Sequence, residues 1–337
     1  MINFWFLISF IFVCPIFAQQ SDFSHIDFSQ ADRNAQSCKN EKLNNLPKLI
    51  NKLTDGLPTE AERFRAIYLW VCTNISNDYN LYLKNKRKRR KFKNDSLKLS
   101  HWNSQLNKVI FHKLLKNKKT ICSGYAYLIK KLADLANLNS EIINGYGRTS
   151  TTNIDELNSP NHSWIAIELN GKWYLCDPTW ASGIQNASTL QFTFQYNDGY
   201  FLSNPELFAV NHFPIEKKWF LLEGNTSTFN DFLEAPVIYG KAYENLLTLP
   251  SPKKMHQTIA KHEKVAIKFV LQKPIVQKEI SLLIDNGHKN KKTKPTYTSI
   301  KGHTLTLEHQ FNSNGFYDVH VYFGEGLIST FTVKVEH

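Results

Sequence analysis

The 337-residue chain is short of the residues that build most metal and nucleotide sites. It has five cysteines and two methionines. No two cysteines form a Cys-x-x-Cys pair, and there is no His-Glu-x-x-His. The usual zinc signatures are therefore missing. No glycine-rich phosphate loop follows any strand pattern. Beyond the first residues no apolar run is long enough to span a bilayer. Acidic residues are scarce beside basic ones, 29 against 41, which leaves a formal charge of +12. No internal repeat is visible. The 42% hydrophobic share nevertheless suffices for real cores, and the length suits about two domains.

Three short stretches carry the chemistry: Ile121-Cys122-Ser123-Gly124-Tyr125-Ala126, Asn161-His162-Ser163-Trp164, and Cys176-Asp177-Pro178-Thr179-Trp180. After Cys122 the apolar residues Tyr125, Leu128, Ile129, Leu132, Leu135 and Ala136 recur at helical spacing. The pattern predicts a helix with Cys122 in its first turn, where free N–H groups and the positive end of the macrodipole favour a thiolate. Residues 162–169 and 172–177 are rich in β-branched and aromatic side chains around Asn170-Gly171. That dipeptide predicts a two-residue hairpin turn. The turn sets Leu169 opposite Lys172, Ile167 opposite Tyr174 and Ile165 opposite Cys176. His162 and Asp177 then share one face, roughly 7–8 Å apart at the backbone. Pro178 ends the strand. Cys176 falls on the other face and is a poor nucleophile. Each residue alone has a plain structural use, as a buried thiol, a core histidine or an Asp-Pro turn. Trp164, Trp173 and Trp180 read as core or cleft wall. The three chemical residues gain meaning together, as nucleophile, base and orienting carboxylate.

The set Cys122, His162, Asp177, with Gly-Tyr-Ala after the cysteine and Asp-Pro-Thr-Trp after the second strand, resembles the transglutaminase-like superfamily. It is most similar to the branch related to kyphoscoliosis peptidase and the cytokinesis transglutaminase-like proteins, of the bacterial secreted type. The similarity covers roughly residues 58 to 235. It includes the helix ending Asn77-Asp78-Tyr79, the strand end Gly145-Tyr146-Gly147, and Tyr200-Phe201-Leu202-Ser203-Asn204-Pro205 through His212-Phe213-Pro214. The resemblance implies an α+β, papain-like core: a helix bearing Cys122 packed on an antiparallel sheet bearing His162 and Asp177. It implies the roles of nucleophile, general base and orienting acid for these residues. It does not fix activity, since the superfamily holds transglutaminases, peptidases, amidases and silent members.

The first residues locate the protein. Residues 2–13 are apolar and Ala18 precedes Gln19-Gln20, which predicts a secretory signal peptide over 1–18 cut after Ala18. The mature chain is expected to be secreted or periplasmic, with no membrane span. Four cysteines then remain. Cys72 lies on a helix pattern with Thr59 and Glu62 as a capping box, and Cys176 lies mid-strand. Both read as buried thiols, with a Cys38–Cys72 bridge left open.

Residues 19–57 read as a polar N-terminal extension with some helix near Glu41–Leu53, and residues 58–250 as the transglutaminase-like domain. Leu249-Pro250-Ser251-Pro252 reads as a linker. Residues 251–337 read as a small Ig-like β-sandwich, from alternating runs at Val265–Leu271, Glu279–Ile284, Thr304–Glu308, Phe316–Tyr322 and Leu327–Val335. Residues 84–93 hold eight basic residues and no acid. They read as a solvated, mobile loop that attracts polyanions and overhangs the cleft. A second basic cluster, Lys289, Lys291, Lys292 and Lys294, reads as a loop. Nucleic-acid binding conflicts with the signal peptide and is not expected. Asn74, Asn161 and Asn225 match glycosylation sequons, but a glycan on Asn161 would block the base.

The expectation is a secreted cysteine enzyme without metal or cofactor, acting on amide bonds of protein or peptide substrates through an acyl-enzyme on Cys122. Hydrolysis (a cysteine protease or other hydrolase) and acyl transfer to an amine both remain open. The alternative is a non-catalytic envelope or adhesion scaffold that binds polyanions through the basic run. A peptide N-glycanase type of amidase shares such a core but usually carries zinc-binding cysteine pairs.

Overall fold

A computed structural model describes residues 19–186, 189–224 and 227–337. Residues 1–18, read from the sequence as a signal peptide cut after Ala18, and the sequon residue Asn225 lie outside the described residues. Among the described residues no helix is long and apolar enough to cross a membrane.

Helices α1 (Ser29–Ser37) and α2 (Leu46–Thr54) pack against α3 (Glu60–Asn74). In α2, Leu49, Ile50 and Leu53 are buried while Lys48, Asn51 and Lys52 face solvent. Asn45 caps it by accepting the Lys48 N–H. Residues 19–57, read as a polar extension, thus add Phe23, Leu43, Leu49, Ile50, Leu53 and Leu57 to the main core. The apolar stripe of α2 is short and separated by polar residues, which hid it. Helix α3 starts at the expected capping box, where the Thr59 side chain accepts the Glu62 N–H and Glu62 accepts the Thr59 N–H. It ends at Asn74, before Asn77-Asp78. Buried Arg65 on α3 bonds Asp32 on α1 (2.7 Å) and also Asp198, tying the 196–203 segment to both helices.

Strands β1 (Ser76–Asn77) and β2 (Lys119–Thr120) pair in parallel, and two helices lie between them, α4 (Tyr79–Lys91) and α5 (Ser96–Asn117). The basic run 84–93 is therefore mostly helix rather than a mobile loop. Asp78 and Asp95 cap the two helices through the N–H groups of Leu81 and Lys98. Lys and Arg are good helix formers, and at the C-terminal end of α4 they meet the negative end of the macrodipole. Lys84 and Lys88 also sit over the Trp102 ring of α5, at 5.8 and 5.6 Å from its centroid.

Helix α6 (Cys122–Leu135) buries Tyr125, Leu128, Ile129 and Leu132 against α3 and a four-stranded antiparallel sheet, while Leu135 is exposed. Burying side chains of this size is worth about 1.5–3 kcal/mol each. The sheet runs β5 (Lys172–Cys176), β4 (His162–Leu169), β3 (Ser140–Gly147), β8 (His212–Pro214). The β4–β5 register pairs Leu169 with Lys172, Ile167 with Tyr174 and Ile165 with Cys176, as counted from the Asn-Gly turn. Asn170 and Gly171 have φ of 52° and 75°, the left-handed pair that such a turn requires. Short elements complete this half: α7 (Pro178–Ser182), the hairpin β6 (Gly183–Gln185) and β7 (Phe192–Phe194), α8 (Pro205–Asn211), α9 (Phe229–Glu234), β9 (Val237–Ile238) and α10 (Gly240–Asn245).

The rest is a β-sandwich of Ig-like class. One sheet holds β10 (Leu246–Ser251), β12 (Lys264–Leu271), β16 (Thr304–Gln310) and β15 (Tyr297–Lys301). The other runs β11 (His256–Ala260), β18 (Gly326–Glu336), β17 (Gly315–Phe323), β13 (Ile280–Asp285), β14 (Asn290–Thr293), with β9 also on β18. The five predicted runs are strands. The presumed linker 249–252 instead falls largely in β10, an edge strand, where Pro250 is tolerated. Lys291 and Lys292 lie on edge strand β14, a usual place for lysines that block edge pairing. The cysteines Cys38, Cys72, Cys122 and Cys176 are all free thiols, so no Cys38–Cys72 bridge forms.

Thr59→Ala removes the hydroxyl half of the α3 capping box, the acceptor for the Glu62 N–H. A loss of about 1 kcal/mol in urea-unfolding free energy is expected, with no change in Cys122 alkylation rate.

Candidate active site

Cys122 opens α6 after Ile121 in extended backbone, so the thiol stands beside the free N–H groups of the first turn. Tyr125, one turn on, donates its hydroxyl to the Ile75 carbonyl (2.6 Å) and accepts from Ser182 (3.1 Å). These bonds tie the start of α6 to the end of α3 and to α7. Cys122 is partly exposed, unlike the three buried cysteines. Burial pushes the Cys72 and Cys176 thiols up, away from thiolate character. The Cys176 sulfur accepts the Leu202 N–H at 3.2 Å and points into the core.

His162 starts β4. Its Nε2 lies 2.6 Å from Asp177 Oδ2, the contact anticipated from the hairpin register. Cys122 lies near enough to the same ring to influence its protonation. Burial works against charge on His162, but Asp177 and Cys122 outweigh it and raise the imidazole pKa well above its usual value. Asp177 is fully buried. It follows β5 and caps α7, its Oδ1 accepting the N–H groups of Thr179 (2.8 Å) and Trp180 (3.1 Å). Burial alone would raise its carboxyl pKa; the two imidazoles facing it outweigh burial and hold it below the usual carboxylate range.

The second imidazole is His212 on β8, whose Nε2 lies 3.0 Å from the same Oδ2. Burial, the largest influence on its ring, lowers its pKa. Trp180 stacks on His162 at 4.7 Å and 17°, and Trp164 lies beneath at 6.0 Å. Trp173 meets Trp219 edge-to-face at 5.1 Å. The Asn161 amide brackets Gly147, accepting its N–H (2.7 Å) and donating to its carbonyl (2.9 Å), which fixes the entry into β4.

The structure thus brings Cys122, His162 and Asp177 together. It adds His212, Asn161 and Gly147, which sequence reasoning placed in motifs or sequons without a role. The β3–β8 pairing that brings His212 in joins residues far apart in the chain, and no turn signal announces it. One ligand atom each from His162, Asp177 and His212 lies within 4.8 Å of the others. Asp177 Oδ2 lies at hydrogen-bond length from both Nε2 atoms.

Two predictions follow from this geometry. A Cβ on Gly147 would sit 2.9 Å from His162 Cβ and 3.0 Å from Cγ. Gly147→Ala is expected to displace the imidazole and slow Cys122 alkylation about tenfold, while the circular-dichroism spectrum stays native. The pH dependence of stability has a definite sign. His162, with its folded pKa raised, contributes fully below its unfolded value of about 6.5 and loses that contribution as pH rises through the folded value. Asp177, with its folded pKa lowered, contributes above about 3.9 and loses that contribution as pH falls through the folded value. Melting curves across pH should show a plateau between these limits. Asp177→Asn keeps an N-cap side chain but should flatten both edges and lower the plateau.

Residues 47–178 match the transglutaminase-like superfamily. Human kyphoscoliosis peptidase is 33% identical over 180 residues, 53% of this chain and 24% of that protein. Hillarin of Drosophila melanogaster is 24% identical over 226 residues, 63% of this chain and 25% of that protein. The chain thus spans about a quarter of the length of the curated relatives it matches. A crystal structure described as a TGase aligns at 14% identity over 54% of this chain and 41% of its own, with a TM-score of 0.27, too low to bear on the fold. The chain carries a domain of the transglutaminase-like superfamily, related over that stretch to kyphoscoliosis peptidase.

Proposed function

We propose that this protein is a cysteine enzyme that cleaves or transfers amide acyl groups of protein or peptide substrates, with Cys122 as nucleophile, His162 as base and Asp177 as orienting carboxylate. The observation that carries the reading is the 2.6 Å contact of His162 with buried Asp177, with Cys122 near enough to the same imidazole to raise its pKa. In this reading the Cys122 proton has already passed to His162, whose cation Asp177 supports, and the thiolate sulfur bonds to the substrate carbonyl carbon. An N–H at the start of α6 receives the oxyanion. The C–N bond breaks, and His162 returns the proton to the leaving amine. Water then resolves the thioester to an acid, or a primary amine resolves it to a new amide. The peptidase relative supports the first outcome and the superfamily name the second; the two share every step up to the thioester.

Helix α4 favours acidic partners. Tyr82 near its start feels the charge of Cys122, and the basic residues continue from there along the helix. Lys86 and Arg90 pair with Glu156, in the segment that leads to His162. The ridge therefore borders the mouth of the site, and an acidic substrate would gain from it. The apolar stretch before Ala18 supports export, which N-terminal sequencing of the protein made in a secreting host would check.

Iodoacetamide labelling followed by peptide mass spectrometry tests the core of the reading. Cys122 should react fastest of the cysteines near pH 7, and His162→Ala should slow it about 100-fold. Equal rates in the two proteins would overturn the triad. Incubation with an acidic peptide and a fluorescent primary amine then separates new carboxyl termini from amine incorporation. Raising salt should lower the rate on acidic peptides more than on neutral ones.

A further inference from the structure

His212 has no part in the three-residue reading, yet it touches the middle of it. In the sheet, Gly145 pairs with His162 on one side of β3 and Gly147 pairs with His212 on the other. The two histidines converge on one carboxylate oxygen, with Nε2 of His162 at 2.6 Å and Nε2 of His212 at 3.0 Å from Asp177 Oδ2. The His212 ring is buried. It stacks on Phe208 at 3.7 Å and 11°, with Trp180 and Trp164 at 4.4 and 5.1 Å.

A purely packing role for this ring does not account for its polar end. An apolar ring would fill the Phe208–Trp164–Trp180 cage without the cost of burying two nitrogens. The Phe208 carbonyl, 3.1 Å from Nδ1, already accepts the backbone N–H of His212 and does not need the side chain. The Asp177 oxygen does need it. An ionised carboxylate brings no proton, so His212 must hold its own on Nε2. The titratable groups facing the ring are Asp177 and His162.

We infer that His212 is a positioning residue of this site: its Nε2–H fills the second lone pair of Asp177 Oδ2 and keeps the buried carboxylate ionised and aimed at His162. The inference rests on the triad reading and extends it from three side chains to four. Asp177 then receives a donor from each of two backbone groups and two imidazoles. Losing one makes the carboxylate easier to protonate, and a protonated Asp177 no longer supports the His162 cation.

The test compares His212→Phe, which keeps a ring in the cage but has no donor, with His212→Gln, which keeps a donor but no ring. The readout is the pH profile of Cys122 alkylation by iodoacetamide, with His162→Ala as reference. His212→Phe should lower the neutral-pH rate at least about tenfold and move the acid limb of the profile up by about one pH unit. His212→Gln should recover part of both. A wild-type-like rate and acid limb in His212→Phe, with a slow His162→Ala, would overturn the role of His212 and leave the triad standing. An unchanged His162→Ala would instead overturn the triad itself, and this inference with it. Should neither His212 variant fold, ¹⁵N imidazole spectra of the wild type decide. A proton on His212 Nε2 supports the inference, and a proton on Nδ1 alone overturns it.

Discussion

A carboxylate with no exposed surface organises this half of the molecule. Taking Asp177 out of water is costly, and the fold meets the cost with four hydrogen-bond donors, one of them the His162 imidazolium. One oxygen takes the first two free N–H groups of α7, and the other takes the imidazoles of His162 and His212. The four donors come from three elements: α7, β4 and β8. Their relative placement is therefore a condition for burying Asp177 at all, and the charge of Asp177 in turn fixes where His162 points.

The remaining architecture serves that arrangement from two directions. The sheet delivers the histidines on either side of β3, where glycine at 145 and 147 leaves room: a Cβ at 145 would collide with the Phe213 carbonyl at 2.3 Å and with Trp164. From the opposite side α6 presents Cys122 at its end, locked by Tyr125 to α3 and α7. The Arg65 network holds the 196–203 segment, whose Tyr200 carbonyl accepts the Asp177 N–H at 3.2 Å. The sandwich joins this half through β9, which pairs with β18.

What the sequence disclosed were the features that local rules control. The Asn170-Gly171 turn determined a register, and the register placed His162 and Asp177 on one face and Cys176 on the other. The spacing after Cys122 disclosed a helix start. Five strands of the sandwich alternated clearly enough to be bounded within a residue or two. The features that escaped depend on distant partners. His212 reaches Asp177 only through the β3–β8 pairing. Residues 84–93 looked like a solvated loop because eight like charges repel, but the aspartate cap at Asp78 and the Trp102 ring support a helix as far as Lys91. Pro250 looked like a linker signal and lies on an edge strand, where a missing N–H costs nothing. The short apolar stripe of α2 was masked by its lysines.

The central claim is that buried, ionised Asp177 holds His162 as a cation over the neutral pH range. An NMR titration of the His162 imidazole tests it most directly. The account predicts a midpoint far above the ordinary value, near about 10, that falls sharply in Asp177→Asn. A midpoint at or below about 6.5 in the wild-type protein would contradict it.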